Sequence, residues 1–214
     1  SLYKIKHNLK EITESILLEQ INIIKYGERL KGQSLDLLTS STAYHEAGHA
    51  VLSYILLPDT KIEQITVVPR NNALGFVSYD NEDNISNLTK IKIENKICVL
   101  LAGRIAQMKK YAEEGFDSGA SSDLSHATHL ANMAISKLGM GTSIGYVSLD
   151  KLKEYEASTF REEINKEVKN WLKTAEERTK NLVDELWDKI DNVAQSLIEN
   201  ETIEAKELNK IMTK

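Results

Sequence analysis

One cysteine, two prolines and ten glycines are all that 214 residues contain of the residue types that staple, stop or sharply turn a chain. A lone Cys98 excludes an internal disulfide. Set in the apolar run Ile97-Cys98-Val99-Leu100-Leu101, it reads as a small buried hydrophobe, which suits a reducing compartment. Scarce glycine and proline disfavour turn-rich β architecture and favour long helices. Arginine is scarce too: five residues, scattered, in a chain of formal charge -5 and pI near 5.6. That excludes the basic face a nucleic-acid partner requires.

Long apolar runs are missing as well. The strongest, Ala50 to Leu57 and Ile97 to Ala102, fall far short of the ~20 residues that cross a bilayer. No GxxxxGK[ST] phosphate loop occurs, so the chain has no means of binding ATP in the usual way. There is no signal-like segment after Ser1, and we expect sequence beyond this chain to set the location of the parent protein.

What is present is helical periodicity. Leu9, Ile12, Ile16, Leu17, Ile23 and Ile24 recur at helical spacing between about Asn8 and Arg29. A second helix is expected from the capping residues Thr39-Ser40-Ser41-Thr42 until Pro58 stops it, with Val51, Leu52, Ile55 and Leu56 forming an apolar face that buries one side. Two extended stretches follow, Ile62 to Val68 and Ala73 to Tyr79, joined by Pro69-Arg70-Asn71-Asn72, and predict a small sheet. Further helices are expected over Leu88 to Lys110, with Ile91 and Ile97 on its apolar side, and from Ser121 to Gly139, with Leu124 and Ala127 facing inward. Ser158 to Asn200 reads as two long helices broken near Lys180 to Asp184, with a short one from Ile203 to Met212. The fold class is mainly α with a small β-sheet, and the division is a helical segment over 1–38 before a domain over 39–214.

Within the second helix stands His45-Glu46-Ala47-Gly48-His49, an HExxH pattern. Residues four apart share a helix face with Cβ atoms about 5–6 Å apart, so both imidazoles reach one zinc ion at about 2.0–2.1 Å. Glu46, one step round, is placed to act as general base on the water whose pKa zinc lowers to roughly 7. Gly48, about 1 kcal/mol worse than Ala inside a helix, signals a close neighbour, for which the segment carrying a third ligand is one candidate. A catalytic zinc needs that third protein ligand. Position 55, where metzincins place a histidine, is Ile. Glu94, Glu113, Glu114, Asp117, Asp123, His126 and His129 remain, and spacing does not choose among them. Asp123 by itself reads as a first-turn acid complementing a helix dipole, and His126 with His129 as surface or packing residues.

The strings Ala43-Tyr44-His45-Glu46-Ala47-Gly48-His49-Ala50, Ile65-Thr66-Val67-Val68-Pro69-Arg70, Ala73-Leu74-Gly75 and Leu101-Ala102-Gly103-Arg104-Ile105-Ala106 continue in order into Ser118-Gly119-Ala120-Ser121-Ser122-Asp123, Ala127-Thr128 and Leu138-Gly139-Met140. Together they resemble the FtsH family of AAA+ zinc metalloproteases, over about Thr39 to Met212. The resemblance implies one Zn2+ per chain held by His45, His49 and Asp123, with Glu46 as catalytic base. It further implies a hexameric ring, polypeptide substrates lying along the segment of Gly75, Phe76 and Val77, and an AAA+ ATPase module upstream as the only route to ATP. The parent would then be anchored in an inner membrane with this domain in the cytoplasm or an organelle matrix or stroma. Residues 1–38, with Ile23-Ile24-Lys25-Tyr26-Gly27, are similar to the tail of the ATPase lid; the other reading is a helical extension that packs on the domain. Two positions depart from the family pattern, Gln107 where Glu is usual and Ser122 where Asn or Asp is usual, and both bear on how the ligands are held. An inactive, ring-forming pseudoprotease is the alternative function, and the intact trio of His45, His49 and Asp123 together with Glu46 argues against it.

Overall fold

The computed structural model describes residues 13–30, 36–71, 73–80, 88–115, 119–152 and 159–213. The expected helix start at Asn8 to Ile12, the turn residue Asn72, the candidate ligand Asp117, the motif residue Ser118 and the expected helix start at Ser158 lie outside these. Seven helices are described: α1 (Glu14–Tyr26), α2 (Asp36–Leu56), α3 (Lys90–Tyr111), α4 (Ser121–Ser136), α5 (Arg161–Glu185), α6 (Trp187–Asn200) and α7 (Ala205–Thr213). Three strands, β1 (Ile62–Thr66), β2 (Phe76–Tyr79) and β3 (Thr202–Glu204), form one antiparallel sheet in the order β2-β1-β3. The expected mainly α fold with a small sheet is what the chain adopts.

Helix α2 is the spine. Every residue from Thr42 to Ser53 is buried, so this helix has no solvent face in its middle three turns and its sequence lacks a polar stripe there. It packs on α3 and α6. Two glycine-sized gaps fix the α2/α3 crossing. A Cβ on Gly48 would come within 2.6 Å of the Ala102 carbonyl oxygen, and one on Gly103 within 2.6 Å of His49 Nε2. The neighbour that Gly48 signals is therefore α3, and not the segment carrying a third ligand. On its far side α3 packs against α4 and α5, where Ile93, Ile97, Cys98 and Leu101 meet Ala127, Ala131 and Ile135.

Several boundaries differ from the sequence expectation. α2 begins at Asp36, placing Thr39 to Thr42 inside the helix. Ile55, Ile91 and Leu124, each expected on an apolar packed face, are exposed. The break in the C-terminal helices is at Leu186 instead of Lys180 to Asp184, where Leu186 and Trp187 turn in to pack on the α2 cluster. The stretch expected to begin a last helix at Ile203 is instead β3, paired Ile65↔Ile203 and Thr66↔Thr202 with β1. Glu201, in the left-handed region at φ 59°, ends α6 and turns the chain into the sheet.

Candidate metal centre

The burial of α2 holds His45, Glu46 and His49 on a short stretch of wall that faces a cleft of about 760 Å³. Opposite stands the first turn of α4. Its N-cap, Ala120, offers no side-chain cap, and the Asp123 carboxylate reaches across to the imidazoles instead. His45 Nε2 and His49 Nε2 are 3.0 Å apart, and Asp123 Oδ2 is 3.1 and 3.2 Å from them. Among the described residues this is the one group of three or more His, Cys, Asp or Glu side chains arranged to hold a metal ion. Of the other candidates from the sequence, Glu113 and Glu114 lie on an exposed 3-10 turn, and His126 and His129 are exposed on α4. His126 lines the cleft but does not join the group.

The other nitrogen of each imidazole decides what the inner one can do. His49 Nδ1 donates to the Val99 carbonyl oxygen at 2.7 Å, which can only accept. His45 Nδ1 donates to Gln107 Oε1 at 2.8 Å, while Gln107 Nε2 donates to Ser41 Oγ at 2.9 Å and so fixes the orientation of the amide. With both Nδ1 atoms protonated, neutral rings turn both Nε2 lone pairs toward the Asp123 carboxylate. Three electron-rich atoms at that spacing repel unless a cation joins them. Ligands about 2.0–2.1 Å from a tetrahedral zinc lie about 3.3 Å from one another. Two nitrogens, one carboxylate oxygen and edges of 3.0–3.2 Å therefore fit zinc, with the cleft on the side left for a fourth position.

Electrostatics separates the half-buried Asp123 from the buried Glu46. Burial pushes Asp123 up, but the hydrogen bonds and charges that His45 and His49 supply when their rings are protonated, the alternative to a shared cation, outweigh it and hold the carboxyl well below its usual range. Glu46 makes no such contact. Burial, aided by the nearby Asp123 and opposed by His45, pushes it up to about 7.

Strand β2 forms the adjoining wall. A Cβ on Gly75 would strike Thr42 Cγ2 at 2.7 Å, the Thr66 carbonyl oxygen at 2.8 Å and Glu46 Cγ at 2.9 Å, so what approaches Gly75 closely is α2 and β1. Phe76 is buried, and Val77 is half-buried against the core beside α2. Asp80 N donates to the Lys61 carbonyl oxygen. Strand alternation then turns the N–H groups of Ser78 and Phe76 toward β1 and that of Val77 away from it, along the sheet edge.

Sequence reasoning singled out Gln107 without finding its contact, and it missed Ser41 and Val99. For Ser41 a signal existed: it lies four residues before His45, on the same helix face. Val99 acts through its backbone, which no side-chain pattern reports. Replacing Gln107 with Leu, close to it in size but without an acceptor, frees the His45 ring to turn. Zinc affinity is expected to fall about 10–100-fold, read by competition with a chromogenic chelator, with circular dichroism unchanged. An affinity equal to the parent would show that the ring needs no such hold.

The sequence profile of peptidase family M41 matches residues 37–211. An ATP-dependent zinc metalloprotease FTSH 11, chloroplastic/mitochondrial, of Arabidopsis thaliana is 33% identical over 171 residues, covering 80% of this chain and 21% of that protein. The mitochondrial inner membrane i-AAA protease supercomplex subunit YME1 of Saccharomyces cerevisiae is 31% identical over 189 residues, 88% of this chain and 25% of that protein. An ATP-dependent zinc metalloprotease FtsH of Rickettsia bellii is 30% identical over 219 residues, 97% of this chain and 33% of that protein. The chain thus spans between a fifth and a third of the length of these relatives.

Proposed function

This chain belongs to peptidase family M41 as an FtsH-type zinc metalloprotease domain, and from that premise we propose that it hydrolyses peptide bonds within unfolded polypeptides, with His45, His49 and Asp123 holding the zinc and Glu46 as the base. The observation that carries this reading is the convergence of three lone-pair atoms at 3.0–3.2 Å from two facing helices in a cleft that also holds a buried acid outside that group. Zinc bound there would polarise the scissile carbonyl and lower the pKa of a water to roughly 7. Gln107 and Val99 keep the imidazole rings in one tautomer and one orientation. Glu46 takes a proton from the attacking water and returns it to the leaving amine as the C–N bond breaks, so its carboxylate is regenerated each turnover.

The edge of β2 supports the choice of substrate form. An extended chain adds to such an edge through its backbone, which tolerates many sequences but demands a strand free of its own fold. Val77→Pro tests the pairing, because it removes the outward N–H from an edge position where proline otherwise does little harm. KM for a casein-derived peptide is expected to rise about tenfold, as for one lost hydrogen bond in a buried site, with zinc content unchanged. Kinetics equal to the parent would reject this edge.

The remainder of a protein like the named relatives would supply what this chain lacks. We assign to it the AAA+ module that unfolds substrates with ATP and an inner-membrane anchor, and to this domain a place in a hexameric ring, in the cytoplasm or in an organelle matrix or stroma. No helix among the described residues is long and apolar enough to cross a membrane. Residues 39–214 are the metallopeptidase domain and residues 1–38 its upstream flank. The purified chain with zinc is expected to cut casein without ATP, to stop when zinc is chelated, and to leave a stably folded protein whole. Casein cutting that survives chelation, or no cutting at all, would overturn the reading. Nucleotide-stimulated degradation of the folded protein by this chain alone would overturn the assignment of unfolding to another module.

A further inference from the structure

We propose that the upstream flank completes a substrate subsite: Tyr26, with Leu30 and Leu74, forms an apolar wall that takes a large aliphatic or aromatic side chain of the bound polypeptide. The proposal rests on the reading above that substrate lies along β2.

Helix α1 is built into the cleft. The Tyr26 ring stacks on Phe76 with centroids 3.7 Å apart and planes 15° from parallel, and both rings line the same cleft as the metal centre. Leu30 and Leu74, 38% and 43% exposed, line it too. An exposed leucine pair beside a stacked aromatic pair is apolar surface facing the space a substrate would fill.

The wall is fixed in place by contacts specific to it. After α1, Gly27 turns at φ 86°, and a Cβ there would come within 2.9 Å of Asn71 Cβ. The chain then runs beside the loop that enters β2, with Leu30 N donating to the Pro69 carbonyl oxygen at 2.9 Å and Asn71 N to that of Glu28 at 3.2 Å. Arg70, 3% exposed, donates to the Gly27 carbonyl oxygen at 3.1 Å and pairs with Glu19 at 2.7 Å. These bonds engage its guanidinium with α1 and the turn after it.

Strand geometry says which substrate side chains meet this wall. A chain added to the β2 edge turns alternate side chains to the face of Phe76. On that face Tyr26 covers Phe76, so every second substrate residue in register packs against Tyr26, Leu30 and Leu74. A leucine, methionine or phenylalanine there loses apolar surface to the wall, whereas glycine gains nothing and aspartate loses hydration without a partner.

The test uses paired fluorogenic peptides that differ at one position at a time, Leu or Phe against Gly. The parent is expected to prefer the large residue at one position or at alternate positions. In Tyr26→Ala and in Leu74→Ser, the second a change at an exposed rim residue, that preference is expected to fall on the order of tenfold through KM. Tyr26→Phe is expected to restore it. A ratio equal to the parent in both variants would overturn the proposal. So would equal losses on both peptides, which is what a merely structural role of Tyr26 gives. If the zinc-loaded parent cuts no peptide, the proteolytic reading fails separately. The same peptides are then titrated by anisotropy into Glu46→Gln with and without Tyr26→Ala, where equal affinities for the Leu peptide would overturn the subsite.

Discussion

Glu46→Gln is expected to retain zinc at the level of the parent while peptide turnover falls about 10²–10⁴-fold, the usual contribution of a positioned proton-transfer group. The amide has the shape of the carboxylate, so the tight contact with Gly75 is preserved and the fold has no reason to change. What is lost is the ability to take a proton. Glu46 stands outside the metal-holding group, which is why metal and activity separate in this variant and in no ligand variant. Zinc counted by mass spectrometry beside casein turnover decides it. A variant that turns over normally, or one that loses its metal, would remove Glu46 from the role of base.

The largest effect on the metal itself is expected from Asp123→Ala. Removing this carboxylate leaves two protein ligands, fewer than the three a catalytic zinc takes. The loss of affinity should exceed the roughly 10–100-fold that follows when only a ligand's supporting hydrogen bond is removed. Glu114→Ala, His126→Ala and His129→Ala serve as comparisons, since each stood level with Asp123 on sequence spacing and each lies outside the group in three dimensions. Circular dichroism should be the same for all four, because none of these side chains belongs to the apolar core. If Asp123→Ala takes up zinc like the parent and one of the others does not, the third ligand is misassigned while HExxH chemistry stands.

The helices were legible because their apolar residues recur at 3.6 and their ends carry ordinary signals. Thr89, for instance, caps α3 by accepting from Lys92 N. His45 and His49 were legible for the same reason, since spacing along one helix is a distance. Asp123 was not, because its place depends on how α4 packs on α3, a relation between segments some 80 residues from the histidines that no local pattern encodes. Only resemblance to a family pointed to it. β3 failed differently: three residues between two helices are too few to show a period of two, and its pairing with β1 is set by contacts across more than 130 positions. The helix break at Leu186 has no proline or glycine to announce it. It arises where Trp187 stacks on Tyr44, a contact with α2 that the sequence leaves silent. The helix-face expectation failed at Ile55, Ile91 and Leu124, since an apolar residue at the right spacing need not have a neighbour to cover it.

The α2/α3 crossing at Gly48 and Gly103 bears on how this centre could be re-engineered. With no room for a methyl group on either helix at that point, the two histidines form a fixed jaw whose opening cannot be adjusted without separating the spine of the domain. Asp123 is the movable jaw, carried on a helix that rests on α3 through the short side chains of Ala127, Ala131 and Ala134. Exchanging those alanines for bulkier or smaller residues would shift α4 by fractions of an ångström and change the bite of the site. Selection for a cation larger or smaller than zinc should therefore collect its changes along the buried face of α4 and leave the helix of the histidines untouched.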